Sequence, residues 1–217
     1  MIPTKDYSLS LVFGKKGCGK SSTIARLARD CAKHKRHCYT TVELDLSKFK
    51  KVDTSFIHFF SGEDYGYFRP EEESLFLIDE VNTIWDNRDW KKFSRVTQAF
   101  FRYQRHFRCT TITFSQSYDV DSKIRSLTDY LWIMKKYFGF FSVMTKIHKY
   151  IAITEPNPDT GTSDIVEAYE KCHWWSILDH DYTFLPLYRG YFDSFCTYPL
   201  PSYKEFYAKK LSKSEAS

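Results

Sequence analysis

The sequence predicts an α/β fold in which a mostly parallel β-sheet is sandwiched between helices. Two observations carry this prediction. Short apolar runs of strand length alternate with helical segments through the first half of the chain, and several of these runs end in glycine or in polar residues. The chain of 217 residues also contains 19 Phe, 16 Tyr and 5 Trp, which is enough apolar surface for one packed domain.

The predicted core alternates strands with helices. The strands are residues 8–13, 37–46, 74–81 and 109–114, and the helices are residues 21–34 and 89–107. The first strand (SLSLVF) is mostly apolar and ends at Gly14, as buried strands do. The first helix repeats apolar residues at helical spacing: Ile24, Leu27, Ala28 and Cys31. Residues 48–70 are polar and interrupted by glycine, so we expect a connection with room for one short strand or helix.

The pattern changes beyond Asp119. We expect strands at 130–134 and 150–154 with a turn near Gly139, a loop at 156–162 and a short helix at 164–172. The remainder is aromatic, interrupted by proline, and ends in a polar tail. The predicted organisation is a core, a small β-rich and aromatic C-terminal appendage packed on it, and a tail: residues 1–155, 156–208 and 209–217.

Composition and charge exclude several classes of protein. No apolar run approaches the roughly 18 to 20 residues that span a bilayer, and the N-terminus lacks the pattern of a secretory signal. The net charge of +5 permits an anionic partner. The six cysteines form no C-x-x-C pair, so we expect reduced thiols and a cytoplasmic location. Cys172 and His173 are isolated in the sequence, which favours packing or surface roles over metal binding.

The segment after the first strand matches G-x-x-x-x-G-K-[ST] in full. This spacing lets backbone N–H groups wrap a phosphate, with Lys20 at the β- and γ-phosphates and the Ser21 hydroxyl on Mg²⁺. The motif therefore predicts a binding site for ATP and Mg²⁺ in a P-loop NTPase fold. Its predicted binding residues are Gly14, Lys15, Lys16, Gly17, Cys18, Gly19, Lys20, Ser21 and Ser22.

Polar side chains follow the third and fourth predicted strands. Asp79 and Glu80 end the third strand, where Asp79 would hold the Mg²⁺ and Glu80 would act as the general base for an attacking water. Gln116 lies just past the fourth strand, which we expect next to the phosphate-loop strand, within reach of both the γ-phosphate and the water. Interpretations without a catalytic role also remain open: Asp79 and Glu80 form a solvated acidic turn, and Gln116 is a polar residue at the end of a strand.

The predicted helix at 89–107 has a basic face. Its polar residues step by four and three positions: Lys91, Arg95, Gln98, Arg102 and Arg105. The opposite side is mostly apolar: Trp90, Phe93, Thr97, Phe100, Phe101 and Gln104. Three roles remain open for the basic face. The first role is a solvated surface, and the second is contact with a nucleic-acid backbone. The third is that one arginine near the helix end reaches a neighbouring subunit's nucleotide as an arginine finger.

Three stretches beyond the phosphate loop and the two carboxylates carry a family resemblance: FRYQRH at 101–106, FSQSYDVD at 114–121 and IRSLTD at 124–129. Together they resemble the zonula occludens toxin (Zot) domain family, which includes the filamentous-phage assembly ATPases. That family shows an Arg–His pair, a strand ending in Gln, then an acidic residue and an arginine before a short apolar strand. The resemblance covers residues 8–132, and residues 191–194 resemble a late family element.

The resemblance implies an ATPase of the additional-strand, catalytic-glutamate type, related to DNA-pumping motors. It implies nucleotide roles for five residues: Lys20, Ser21, Asp79, Glu80 and Gln116. Arg105 and Arg125 become the candidates for a residue that acts in trans, within a homo-oligomeric ring such as a hexamer. Phage-assembly members usually carry a transmembrane helix after the ATPase domain, and this sequence has none. We therefore expect either a soluble motor or one that docks on a membrane partner.

These observations together predict an ATP-hydrolysing motor or assembly ATPase of a phage or mobile genetic element. Its expected task is DNA packaging, DNA export or virion morphogenesis, with DNA held through Lys91, Arg95 and Arg102 and with a membrane or virion-assembly partner. Two alternatives remain: a small-molecule kinase built on the same phosphate loop, and a nucleotide-gated interaction module with little turnover.

Overall fold

A computed structural model describes residues 2, 4–85, 94–117, 120, 122–153, 165–172, 176 and 179–192. Within these residues, nine strands form one sheet: β1 (Leu9–Phe13), β2 (Cys38–Thr40), β3 (Ile57–Phe59), β4 (Leu75–Ile78), β5 (Thr110–Ser115), β6 (Tyr130–Tyr137), β7 (Phe141–Ile153), β8 (Ile165–Lys171) and β9 (His180–Phe184). The described α-helices are α1 (Lys20–Lys33), α2 (Val81–Ile84), α3 (Arg95–Tyr103) and α4 (Ser122–Leu127).

The strand order is β3-β2-β4-β5-β1-β6-β7-β8, with β9 also paired to β7. All neighbours from β3 to β6 are parallel, whereas β7 pairs antiparallel with β6, β8 and β9. The fold is therefore α/β with a mostly parallel sheet, as predicted. β5 separates the carboxylate strand β4 from the phosphate-loop strand β1, so Gln116 follows the strand next to the loop.

Helices cover the central strands, and this explains their continuous apolar sequences. Side chains of β4 alternate between the two faces of the sheet: Leu75 and Leu77 pack in the cluster under α1, and Phe76 in the cluster under α3. On the α3 side, Tyr65 is fully buried and its ring centroid lies 4.8 Å from that of Phe100. These contacts fix α1 and α3 on opposite faces.

The structure differs from the predicted elements in several places: β7 begins at Phe141 rather than at residue 150, and β4 ends at Ile78 rather than at residue 81. Residues 164–172 do not form a helix: β8 pairs over its whole length with β7, because the long β7 edge offers backbone partners that local propensity does not register. The second strand ends at Thr40 rather than at residue 46. The predicted basic helix at 89–107 ends at Tyr103, because residues 104–108 form turns instead, so Arg105 follows the helix rather than belonging to its face; the described part of the helix is Arg95–Tyr103. The predicted start of that helix, the loop at 156–162 and the polar tail lie outside the described residues.

Candidate nucleotide site

The phosphate loop connects β1 to α1 in a conformation that requires glycine. Gly17 has φ +73° and Gly19, which caps α1, has φ +103°, a region that other residues rarely adopt. A methyl group on Gly14 would lie 2.7 Å from the carbonyl oxygen of Met134. Burial raises the pKa of the Cys18 thiol, more than Lys20 lowers it, so this cysteine is a packed thiol in the loop.

Lys20 and Ser21 open α1 beside the loop. Lys20 is only 7% exposed, and its Nζ donates a hydrogen bond to the Gly14 carbonyl oxygen at 3.0 Å, so the ammonium group lies folded back along the loop. The Ser21 hydroxyl lies 3.3 Å from Asp79 Oδ2. The structure thus joins the start of α1 to the end of β4 through two oxygen atoms of the kind that Mg²⁺ prefers.

Asp79 is held at the end of β4 by its backbone as well as its side chain. Its N–H donates to Thr41 Oγ1 at 2.9 Å, which ties the carboxyl ends of β4 and β2 together. Burial and the neighbouring Glu80 carboxylate raise the pKa of Asp79 to about 6, although Lys20 opposes the shift. A buried carboxylate whose charge is disfavoured in this way is a good fit for a divalent cation, which would compensate that charge.

Glu80 occupies an unusual backbone conformation between β4 and α2. Its φ of +50° and ψ of +46° are left-handed, a region that costs a non-glycine residue about 1 to 2 kcal/mol. Strain of this kind is typical of residues whose side-chain direction matters for function. The Glu80 carboxylate lies beside Gln116, whose Nε2 donates to Glu80 Oε1 at 2.5 Å.

Asn82 links the same two strand ends from the other side. Its Oδ1 accepts a hydrogen bond from Ser115 Oγ at 2.9 Å, and its Nδ2 donates to Ser117 Oγ at 3.2 Å. The residues on both sides of Gln116 are therefore bonded to α2, which begins directly after Glu80. This small network, which the sequence did not predict, holds the Gln116–Glu80 pair in register.

The predicted loop and strand-end residues line one cleft of about 390 Å³. From the predicted set these are Lys16, Gly17, Gly19, Lys20, Ser21, Ser22, Asp79, Glu80 and Gln116. The structure adds four residues that sequence reasoning missed: Lys136, Leu185, Arg189 and Phe192. Lys136 carried one usable signal, since it interrupts an apolar run near the carboxyl end of a strand, where parallel sheets place their ligands. For the other three we find no such signal.

β9 brings the last three of these residues to the cleft. Asp181 Oδ2 accepts a hydrogen bond from Arg26 at 2.8 Å, and Thr183 Oγ1 is 3.0 Å from Thr23 Oγ1, so β9 is bound to α1. The chain then turns at Leu185, which packs over Gly19. The cleft is consequently closed on one side by a segment far from the phosphate loop in sequence.

Arg105 does not join this cleft. The adjacent Gln104 donates a hydrogen bond to the Tyr7 carbonyl oxygen at 3.0 Å, next to the start of β1, whereas the phosphate loop follows the end of β1. Arg105 is exposed at that opposite edge of the sheet. Among the described cleft-lining residues, neither Arg105 nor Arg125 is present.

The basic face of α3 is arranged as predicted in its described part. Arg95 and Arg102 are exposed, while Thr97, Phe100 and Phe101 are buried against the sheet. Lys91 lies outside the described residues. The same exposed face carries Val96 and Tyr103, which are 46% and 55% exposed.

The parallel sheet with a glycine-rich loop between β1 and α1 defines a P-loop NTPase fold. The family model described as zonular occludens toxin (Zot) matches residues 8–174. The chain therefore belongs to the Zot family, which confirms the predicted resemblance and extends it beyond residue 132. Comparison with curated protein sequences finds no match. In the described part of the chain, no helix has both the length and the apolar character needed to cross a membrane.

Solved structures resemble the chain at low identity. The N-terminal domain of zonular occludens toxin from Neisseria meningitidis is 13% identical, with a TM-score of 0.44 over 77% of this chain and 95% of that one. The genome-packaging NTPase B204 from Sulfolobus turreted icosahedral virus 2, in complex with ATP-gammaS, is 12% identical, with a TM-score of 0.45 over 73% and 96%. The flagellar accessory protein FlaH from Methanocaldococcus jannaschii is 12% identical, with a TM-score of 0.44 over 64% and 77%.

Proposed function

We propose that this protein binds ATP with Mg²⁺ and hydrolyses it, as a motor or assembly ATPase of a phage or mobile genetic element. The observation that carries the proposal is the Gln116–Glu80 hydrogen bond beside the phosphate loop and Asp79. A carboxylate oriented by an amide, next to a loop that fits phosphate, is the arrangement that activates water against a γ-phosphate.

Each cleft residue has a role in this proposal. The loop backbone and Lys20 bind the phosphates, and Lys20 exchanges its hydrogen bond to Gly14 for phosphate oxygens. Ser21 and Asp79 hold the Mg²⁺, which neutralises charge on the phosphates. Glu80 accepts a proton from the attacking water, and Gln116 holds the Glu80 carboxylate in position.

Two basic side chains of the same subunit add positive charge to the cleft. Lys136 from β6 and Arg189 from the segment after β9 line the cleft, and both carry positive charge toward it. Charge that develops on phosphate oxygens during hydrolysis is stabilised by such groups. We propose that they assist within one subunit, while Arg105, exposed at the far edge of the sheet, acts on the site of a neighbour in a homo-oligomeric ring.

The proposed task is DNA packaging, DNA export or virion morphogenesis. Membership of the Zot family and the exposed basic face of α3 support it. Arg95 and Arg102 are both exposed on α3, and we propose that they bind DNA phosphates together with Lys91. A membrane or virion-assembly partner would then place the protein where DNA is moved.

An ATPase assay with and without single-stranded and double-stranded DNA tests this proposal. We expect hydrolysis by the wild type, stimulation by DNA, and loss of nucleotide binding in Lys20→Ala. Arg95→Ala/Arg102→Ala should keep basal hydrolysis but lose stimulation, with a flatter salt dependence of DNA binding. Phosphoryl transfer to a nucleoside or sugar, or tight ATP binding without turnover in the wild type, would contradict it.

A further inference from the structure

Three side chains with metal-binding atoms converge outside the nucleotide cleft. His148 on β7, Cys172 after β8 and Asp179 before β9 place one ligand atom each within 4.8 Å of the other two. Cys172 and His173 are isolated in the sequence, but the fold brings His148 and Asp179 close to Cys172, because His148 lies on β7 and Asp179 directly precedes β9. The cluster combines a thiol, an imidazole and a carboxylate.

The topology of β7 explains why these residues meet. β8 pairs with one half of β7, where Ile147 opposes Lys171, and β9 pairs with the other half, where Thr145 opposes His180. The chain leaves β8 and enters β9 at almost the same point of β7, and the Cys172 N–H donates to the Lys146 carbonyl oxygen at 3.2 Å. Residues 172 and 179 therefore stand together at the base of the β8–β9 connection.

The surroundings of the cluster orient its members. The Ser176 hydroxyl donates a hydrogen bond to Asp179 Oδ2, and the Asp179 N–H donates to the Ser176 carbonyl oxygen at 3.1 Å. Hydrogen bonds of this kind fix ligand carboxylates in metal sites. The positive charge of Lys146 acts on both Asp179 and Cys172, while its Nζ lies 4.6 Å from the centre of the Tyr130 ring in a cation–π contact. Glu170 opposes His148 in the strand register.

We propose that His148, Cys172 and Asp179 bind Zn²⁺, with water as the fourth ligand. A thiolate with an imidazole favours zinc over magnesium or calcium, and three protein ligands leave one tetrahedral position for water. The cysteine thiol gives up its proton when the metal binds. A plain thiol–carboxylate hydrogen bond is the competing interpretation, and it predicts no zinc binding.

The site has a structural consequence that does not depend on ATP hydrolysis. Asp179 directly precedes β9, whose Asp181 and Thr183 bind α1. After β9 the chain reaches the nucleotide cleft at Leu185 and Arg189. Zinc would fix the start of this strand to β7 and so stabilise the wall of the cleft.

Zinc titration of the untagged, EDTA-stripped protein tests the proposal. We expect one Zn²⁺ per chain, a higher thermal midpoint that EDTA reverses, and at least tenfold weaker binding in Cys172→Ser, His148→Ala and Asp179→Asn. His34→Ala, which changes an exposed histidine outside the cluster, is the matched control and should bind zinc like the wild type. Co²⁺ in place of zinc should give the charge-transfer absorption of a cobalt–thiolate bond, absent in Cys172→Ser.

The proposal is overturned if the wild type binds less than one equivalent of Zn²⁺, or if His148→Ala and Cys172→Ser bind as tightly as His34→Ala. Circular dichroism of the metal-free variants checks that each variant is still folded. If Cys172→Ser does not fold, Asp179→Asn and the cobalt spectrum of the wild type still decide the question.

Discussion

The side-chain amide of Gln116 donates a hydrogen bond to Glu80 Oε1 across the ends of two adjacent parallel strands. The amide holds the carboxylate of Glu80 in one orientation without removing its charge. A proposed base and the group that positions it are thus set by neighbouring strands, and Asn82 fixes the spacing between them.

Replacing Gln116 by alanine should separate nucleotide binding from turnover. The variant keeps the phosphate loop and Asp79, so we expect the Kd for ATP to change less than about threefold, while kcat falls by at least tenfold because Glu80 loses its positioning contact. Steady-state kinetics and equilibrium binding measure the two effects. Gln98→Ala, the same change on α3 outside the set of cleft-lining residues, is the control and should keep the wild-type kcat. Equal losses in both variants would argue against a specific role for Gln116.

Asp79→Asn should stabilise the metal-free protein in a pH-dependent way. The pKa of Asp79 is raised from 3.8 to about 6, so the folded state holds a proton that the unfolded state has released between these values. Folding stability therefore falls as pH rises through this window, by about 3 kcal/mol in total. The side chain of the asparagine variant does not titrate, so its folding stability does not fall through this pH window for this reason.

Urea unfolding without nucleotide or metal checks this prediction. The free energy of unfolding of Asp79→Asn should exceed that of the wild type near about pH 8 and match it near about pH 4. Mg²⁺ with ATP should stabilise the wild type but not the variant. A constant difference between the two proteins across this range would contradict the assigned cause.

Gly19 and Gly17 allow backbone strain to be distinguished from a steric contact. Both have positive φ, but a methyl group on Gly19 would lie 2.5 Å from Leu185 Cδ2, whereas nothing lies within 4 Å of one on Gly17. We expect Gly17→Ala to lower the free energy of unfolding by about 1 kcal/mol and Gly19→Ala to lower it distinctly more. Chemical unfolding measures both, and Leu185→Ala combined with Gly19→Ala should recover part of the excess. Equal losses of unfolding free energy in the two glycine variants would mean that the Leu185 side chain moves aside without an energetic penalty.

Arg105 is expected to act only on a neighbouring subunit. Arg105→Ala should keep ATP affinity but lose turnover by on the order of 10² or more, since the side chain acts on transition-state charge. Mixing it with excess Glu80→Gln protein should restore some hydrolysis, because one type of interface then pairs an intact Glu80 with an intact Arg105. Arg102→Ala, which removes an exposed arginine of α3, is the control and should keep basal turnover. Absence of recovery in the mixture, with both proteins assembled, would remove Arg105 from the site.

The sequence predicted the parts of the fold in which local pattern and tertiary role agree. The phosphate loop between β1 and α1, the acidic end of β4 and the position of Gln116 after β5 all depend on short segments, and the structure brings them together. Two parallel strands that each end in a polar side chain must present these at the same sheet edge.

The remaining features depend on long-range pairing. Residues 165–171 became a strand because β7 provides an edge, and the same edge gathers His148, Cys172 and Asp179. Arg189 reaches the cleft because β9 binds α1 through Asp181. The periodicity of a single segment does not reveal which distant segment it pairs with. The zinc-site cluster and Arg189 could therefore be identified only from the three-dimensional structure.

The most direct test of the account is ATP hydrolysis and ATP binding by Glu80→Gln beside the wild type. The amide keeps the size and hydrogen-bonding capacity of the side chain but cannot take a proton from water, while Asp79 and the phosphate loop are unchanged. We predict wild-type affinity for ATP with Mg²⁺ and hydrolysis lowered by on the order of 10² or more. Unchanged hydrolysis in this variant would contradict the assignment of Glu80 as the base, and with it the proposed mechanism.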